Sequence, residues 1–269
     1  MTYLKKLSQL AGVAAAGMLA MACAPGESEN GAAQSGGGVD MAAIEAAVAN
    51  EMRTPENAAR DADRKPAEVI AFFEIEPGET VLDLFSGGGY YTEILSGVVG
   101  PEGVVYAHQT ANERFEQNRE ALEAQFAPFG NIVLLPTAAG EPFALEDGSV
   151  DTVIFVNILH HFHYDETTPD ERPERATALY SEVMRVLKPG GVFGVVEHEA
   201  VPGASRQQTA EWHRITRDQA VADITGAGFI LEAEADIHRN PDDDMANAWF
   251  DAGLRGKTNR IVHRYVKPE

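Results

Sequence analysis

Apolar segments alternate with amphipathic segments through most of the chain, and this alternation restricts the fold more than any other feature of the sequence. "TVLDLF" (80–85) is typical of a β-strand covered on both faces, and a helix is predicted from Tyr90. Further strands are predicted at 103–108, 131–135, 151–157, 192–198, 230–237 and 260–268. Helices are predicted at 40–50, from Pro66, and at 112–129, 176–187 and 216–229. The pattern indicates an α/β fold, a doubly wound, mostly parallel sheet with helices on both faces.

Ligands of such sheets bind beyond the carboxyl ends of the strands, near the point where the strand order reverses. The first strand ends at Phe85 and Ser86, and the next four end at His108, Thr137, Asn157 and the pair Glu197-His198. We therefore expect these residues to lie around one crevice.

A triple glycine, Gly87 to Gly89, connects the first strand to its helix. Glycine permits backbone conformations and close approaches that a side chain prevents, and a helix start at Tyr90 presents free N–H groups to a ligand. Phe85 stands where a G-x-G-x-x-G turn has its first glycine. The turn is interpreted as a ligand loop; the alternative is a tight strand–helix connection with a buried aspartate, Asp83.

The N-terminus has the features of an export signal. Lys5 and Lys6 precede the apolar segment 10–22, which is too short for a permanent membrane span, and the only cysteine, Cys23, follows it. We expect a lipoprotein-type signal peptide (1–22), a Gly/Ser-rich tether (23–39) and one folded domain (40–269). The expected location is the periplasm, with a lipid on Cys23; ordinary cleavage after Ala22 is the alternative.

Charge and composition restrict the partners. The formal net charge of −21 argues against nucleic acid and anionic membrane surfaces, so we expect membrane contact only through the lipid. With a single cysteine the chain has no internal disulfide. A small-molecule substrate is the expected partner, and the oligomeric state stays open.

Three motifs carry a family resemblance: "VLDLFSGGGYYTEIL", "PFALEDGSVDTVIFVNILHHF" and "EVMRVLKPGGVFGVVEH". Their order and spacing resemble class I S-adenosylmethionine-dependent methyltransferases, over about residues 60 to 268. The chain looks most similar to a bacterial group of exported predicted methyltransferases, in which a bulky residue commonly occupies the position of Phe85. The resemblance implies a seven-stranded sheet with an antiparallel last strand, and S-adenosylmethionine as the cofactor.

The resemblance also implies which residues bind the cofactor. Asp83 would hold the loop and attract the cofactor's amino group, and Asn157 would hold its methionine end. The implied set is Asp83, Ser86, Gly87, Gly88, Gly89, Tyr90, His108, Gln109, Thr137 and Asn157. The chain departs from the family pattern at the end of the second strand, where His108 replaces the acid that binds both ribose hydroxyls. It also lacks the carboxylate after the third strand that meets adenine, with only Glu141 nearby.

Methyl transfer requires alignment of acceptor and methyl group, and a base where the acceptor loses a proton. His160 and His161 follow the fourth strand, and Glu197 beside His198 ends the fifth; these four are the candidate catalytic residues. The alternative is that they cap, pack or bond neighbouring loops. No metal is expected, because adjacent histidines at a strand–helix junction should point apart and no metal-ligand spacing is present.

Three functions compete on this evidence. The first is a methyltransferase acting on a small molecule. The second is a noncatalytic ligand-binding lipoprotein on the same scaffold, which the signal segment supports because the methyl donor is made in the cytoplasm. The third, a dinucleotide oxidoreductase, has less support. It requires a full G-x-G-x-x-G and an acid after the second strand, and this chain has neither.

Overall fold

The computed structural model describes residues 39–251 and 253–269. The predicted signal segment, Cys23 and the tether up to residue 38 lie outside these residues. No helix in the described part is long and apolar enough to cross a bilayer.

Eight strands and nine α-helices are present within the described residues. The strands are β1 (Thr80–Leu84), β2 (Val104–Thr110), β3 (Ile132–Thr137), β4 (Val150–Val156), β5 (Leu187–Ala200), β6 (Ile215–Thr216), β7 (Ile230–Glu234) and β8 (Arg260–Val266). The helices are α1 (Met41–Val48), α2 (Pro55–Ala58), α3 (Asp61–Arg64), α4 (Pro66–Phe73), α5 (Tyr90–Val99), α6 (Glu113–Phe126), α7 (Glu174–Val186), α8 (Arg206–Glu211) and α9 (Arg217–Thr225).

The strands form one sheet in the order β3-β2-β1-β4-β5-β8-β7, with the two-residue β6 paired to β5. Pairs among β1 to β5 are parallel, whereas β8 runs antiparallel to both β5 and β7. This confirms the predicted fold, including the antiparallel last strand; the sequence did not predict β6. The strand order reverses between β1 and β4, which places the crevice beyond the ends of these two strands.

Side chains alternate between two cores on opposite faces of the sheet. Leu82, Leu84 and Phe155 belong to one apolar cluster, which includes residues of α7 and α9. Val81 and Ile154 belong to the other, which includes residues of α1, α4 and α5. Because both faces are covered, the central parallel strands are mostly apolar, and the polar groups at their carboxyl ends are the ones available to a ligand.

A packed aromatic cluster supports the turn after β1. Phe85 has φ 57°, and its N–H donates to Nδ1 of His108 at 3.2 Å. The two rings meet edge to face, with centroids 4.6 Å apart. The ring of Phe143 also packs against this imidazole, with centroids 5.1 Å apart. His108 is 2% exposed, and burial lowers its pKa to about 4. The turn is therefore fixed from below by a neutral histidine.

A buried ion pair fixes the segment between β7 and β8. Both Nη atoms of Arg214 contact the carboxylate of Asp243, at 2.9 and 3.0 Å, and neither side chain is exposed. Arg214 also donates to the carbonyl of Glu199 in β5 at 2.8 Å, and Asp243 accepts from the N–H of Asn259 at 2.7 Å. The acidic stretch 240–244 therefore anchors a loop to the sheet.

We expect Asp243→Asn to destabilise the protein by about 3–5 kcal/mol, because it leaves the guanidinium of Arg214 buried without a counter-charge. This corresponds to a fall in melting temperature of about 10 °C. Glu116→Gln is the matched control, since it breaks an exposed pair with Arg119 and should leave the melting temperature unchanged. Equal melting temperatures for both variants would contradict the anchoring role of the buried pair.

The buried His108 also predicts a pH dependence of stability. Its pKa is lowered in the folded state, so between pH 6.5 and about 4 the unfolded chain binds a proton that the folded protein does not. Stability then falls with acidification, by up to about 1.4 kcal/mol per pH unit from this residue. We expect His108→Gln to flatten the dependence of unfolding free energy on pH in this window, measured by urea denaturation. A slope that is unchanged in the variant would show that His108 does not contribute.

Candidate active site

A cavity of about 710 Å³ opens beyond the carboxyl ends of β1, β4 and β5. It lies at the reversal of strand order, where the sequence placed the ligand crevice. Seven of the predicted site residues line it: Asp83, Ser86, Gly87, Gly88, Tyr90, Asn157 and His198.

The three glycines of the turn differ in what they face. A Cβ atom added to Gly87 or Gly88 would meet nothing within 4 Å, whereas one on Gly89 would lie 2.5 Å from the ring of Phe126. Gly87 and Gly89 have positive φ angles, 56° and 74°, and Gly88 does not. Gly87 and Gly88 thus leave space above the turn, while Gly89 permits close packing against α6.

Two hydrogen-bond acceptors flank this turn. Asp83 is 4% exposed and accepts from Oγ1 of Thr92 at 2.6 Å. Burial raises its pKa to about 6, against the opposing effect of the Thr92 hydrogen bonds. Across the crevice, Asn157 has φ 57°, and its Oδ1 is buried with no partner among the described residues. A buried acceptor without a partner is uncommon in proteins, so Asn157 has the geometry of a ligand-binding group.

The structure corrects the expectation for the end of β2. His108 lies in the core, so it does not line the cavity at the glycine turn. Gln109 lies there instead, and its side-chain amide donates to Oγ of Ser86 and to the carbonyl of Gly87, both at 2.8 Å. Gln109 lines a neighbouring cavity of about 580 Å³ together with Gly87 and Gly88.

Thr137, at the end of β3, does not line the main cavity either. Thr137 lines a third cavity, of about 440 Å³, with His108 and Glu141. Its Oγ1 is buried without a partner among the described residues. The predicted cofactor set therefore lines three adjoining cavities, which meet at Phe85.

The carboxylate of Glu197 joins the ends of β4 and β5. It is fully buried and accepts from the N–H of His198 at 2.7 Å and from the N–H of His160 at 3.1 Å. Its Oε1 also lies 2.9 Å from Nδ1 of His160. Burial alone would raise the pKa of Glu197, but the attraction of His160 and these hydrogen bonds outweigh burial and lower it to about 2.

His198 is the catalytic candidate that lines the main cavity. Its Nδ1 lies 2.7 Å from Oγ1 of Thr258, so Nε2 is the nitrogen left for a ligand. The ring stacks on Trp249 with centroids 5.1 Å apart and planes within 4°. Burial, aided by nearby cations such as Arg260, lowers its pKa to about 3, so the imidazole is neutral at pH 7.

The expectation that His160 and His161 point apart is wrong. They lie in a 3-10 turn, Leu159–His161, and their ring centroids are 4.2 Å apart. His213, which the sequence analysis did not select, lies 5.4 Å from each of them. It has φ 52° and follows α8, about fifty residues away in the sequence, so no local pattern indicates the cluster.

Four arginines line the main cavity, and sequence analysis selected none of them: Arg60, Arg64, Arg255 and Arg260. They come from segments around α3 and the start of β8. Burial lowers the pKa of Arg260, which is 5% exposed, and burial together with repulsion from Arg260 lowers that of Arg64. Trp249 also lines the cavity.

The chain is similar in sequence and fold to known methyltransferases. Residues 82–195 match a family model described as a methyltransferase domain. An arsenite methyltransferase of Halobacterium salinarum is 32% identical over 45% of this chain and 27% of its own length. The ubiquinone/menaquinone biosynthesis C-methyltransferase of Enterobacter sp. (strain 638) is 28% identical over 67% of this chain and 68% of its own. An uncharacterised transposon protein of Streptomyces fradiae is 34% identical over 55% of this chain.

The chain spans only 39% of the length of the transposon protein and 27% of that of the arsenite methyltransferase. A crystal structure of an S-adenosylmethionine-dependent methyltransferase from Aquifex aeolicus shares the fold, with a TM-score of 0.55 and 19% identity, over 84% of this chain and 98% of the other. A [4+2]-cyclase shares it with a TM-score of 0.53 and 17% identity, over 84% and 92%. S-adenosylmethionine is the cofactor of this group of methyltransferase folds. The protein thus has the class I methyltransferase fold, and its residues 82–195 match a methyltransferase domain.

Proposed function

We propose that the protein transfers a methyl group from S-adenosylmethionine to a small acceptor that carries a negative charge. The observation that carries the proposal is the open glycine turn between Asp83 and Asn157, facing a cavity at the reversal of strand order. The match of residues 82–195 to a methyltransferase domain supports the same activity.

The residues present fit the methionine end of the cofactor. Gly87 and Gly88 leave room for close approach to the backbone, and the carboxylate of Asp83 and Oδ1 of Asn157 would accept hydrogen bonds from its ammonium group. When bound, S-adenosylmethionine supplies an electrophilic methyl group on a sulfonium.

The fit to adenosine is weaker. No carboxylate ends β2, so the side-chain carbonyl of Gln109 is the acceptor that would meet a ribose hydroxyl. A neutral amide forms weaker hydrogen bonds than a carboxylate, which makes binding weaker by about 1–3 kcal/mol.

The charge of the cavity indicates the class of acceptor. In the described part of the chain none of the four lining arginines has a carboxylate within ion-pair distance, although the protein as a whole carries a net charge of −21. Arg260 is nearly fully buried; its Nη2 donates to the carbonyl of Gly256 at 3.0 Å, and its Nε has no partner among the described residues. Glu197 and Asp63 attract it without forming an ion pair, so its burial is costly, and a carboxylate or phosphate in the cavity would offset that cost. One guanidinium is enough to bind the carboxylate of the cofactor's methionine part, so the other arginines remain available to bind the acceptor.

His198 is the residue positioned to accept a proton from the acceptor. Its ring is held by Trp249 on one face and by Thr258 at Nδ1, so Nε2 keeps a fixed direction. Repulsion from Arg260 contributes to its low pKa. An anionic acceptor that neutralises Arg260 raises this pKa, so binding itself makes the base more effective.

We expect Gly88→Val to reduce S-adenosylmethionine affinity by about 10–100-fold, because its side chain enters the space above the turn. The protein should stay folded, since Gly88 has no positive φ and no neighbour within 4 Å of the added Cβ. Isothermal titration with S-adenosylmethionine, S-adenosylhomocysteine and NAD provides the measurement, and Ala124→Val on the exposed face of α6 is the control. If folded wild-type protein binds neither sulfur compound at millimolar concentration, the methyltransferase proposal fails. Binding without transfer would favour the noncatalytic scaffold.

The acceptor class is tested with matched pairs of small molecules, each an acid and its amide, in an assay of S-adenosylhomocysteine formation. We expect turnover with the acids alone, and Arg64→Gln should lower kcat/KM by about 10–100-fold through loss of a charge-assisted contact. Affinity for S-adenosylmethionine should change only a few-fold. Arg119→Gln on α6 is the charge-matched control. Equal turnover of acids and amides would exclude a charged acceptor while leaving methyl transfer intact.

A further inference from the structure

Three imidazoles converge beside the main cavity without a shared hydrogen-bond acceptor. One ring nitrogen from each of His160, His161 and His213 lies within 4.8 Å of the others. His160 is buried, His161 is exposed and His213 is partly exposed, so the cluster reaches from the protein interior to solvent. Neither His161 nor His213 has a side-chain hydrogen bond to the described residues; both rings are held by ring packing alone.

The carboxylate of Glu197 orients the buried member of the cluster. It lies 2.9 Å from Nδ1 of His160, which leaves Nε2 of that ring as the available nitrogen. A carboxylate behind an imidazole is the arrangement that orients histidine ligands of metal ions and fixes their tautomer. Glu197 is itself held by two backbone N–H groups, from His160 and His198, so the support is rigid.

We propose that His160, His161 and His213 bind one divalent transition-metal ion of the zinc type, with Glu197 orienting His160. Three neutral nitrogen donors suit Zn²⁺, Co²⁺, Ni²⁺ and Cu²⁺, whereas Mg²⁺ and Ca²⁺ require oxygen ligands. Zinc–nitrogen bonds are about 2.0–2.1 Å long, so the three ring nitrogens must come about 1 Å closer to one another on metal binding. The two more exposed histidines permit this movement. The proposal does not depend on methyl transfer.

Three protein ligands leave the fourth position of a tetrahedral ion open. His160 lies 6.2 Å, between ring centroids, from His198, which lines the main cavity. Phe250, adjacent to Trp249, packs against His213 at 5.4 Å. The ion would therefore lie next to the cavity wall, and the open position would take water or an anionic ligand group.

The test uses full-length protein made without a polyhistidine tag and freed of metal with a chelator. We expect titration calorimetry with Zn²⁺ to give one ion per chain, with a Kd in the micromolar range or below, and a higher melting temperature with zinc present. With Co²⁺ we expect intense visible absorption bands, which indicate four or five ligands rather than six.

His161→Ala and His213→Ala should each weaken zinc binding at least tenfold and reduce the cobalt bands. Both positions are at least partly exposed and make no side-chain hydrogen bonds to the part of the chain that the structure describes, so the variants should keep the wild-type circular dichroism spectrum. His238→Gln, which changes a histidine outside the cluster, should bind zinc as the wild type does. Absence of saturable zinc binding, or zinc binding that is unaffected in both cluster variants, would overturn the proposal. The three histidines would then only pack against one another.

Discussion

The carboxylate of Glu197 is the interaction on which the organisation of the site depends. It lies in the buried half of β5 and accepts hydrogen bonds from its own strand and from the turn after β4, so it joins two neighbouring strands beside the reversal of strand order. Without it, the backbone N–H groups of His160 and His198 would lose their partner in a buried place, and the imidazole of His160 would lose its fixed position. The same group therefore serves the main cavity on one side and the histidine cluster on the other.

Much of the fold was predictable because its signals are local. The apolar strands, the helix start at Tyr90 and the restart at Pro66 each follow from residues within a few positions, and the structure has α4 and α5 beginning at these residues. The glycine turn was predictable for the same reason, since Gly87 and Gly88 face open space at the end of a buried strand. The location of the cavity followed from the strand order alone.

The remaining site residues were not predictable, because they depend on side-chain direction and on distant segments. At the end of β2, His108 and Gln109 point to opposite faces, as neighbours in a strand do, and a one-residue difference decides which one bonds to Ser86 and Gly87 of the glycine turn. The arginines come from the segments around α3 and before and at the start of β8, nearly two hundred residues apart, and His213 comes from a loop after α8. Only the folded chain brings these groups together.

The arginine-lined cavity has a consequence for the rates of ligand exchange. The protein as a whole is strongly acidic, so its long-range field repels an anion. For the anionic acceptor that we propose, the arginines of the cavity would supply attraction at short range only. Salt screens the long-range repulsion first, because the Debye length is about 8 Å at physiological ionic strength and interactions at shorter range are screened less. Rising ionic strength would therefore speed the arrival of such an acceptor while only modestly loosening its bound state. A molecule built in this way would capture an anionic acceptor slowly in dilute medium and rapidly in salty medium, and would hold it for similar times in both.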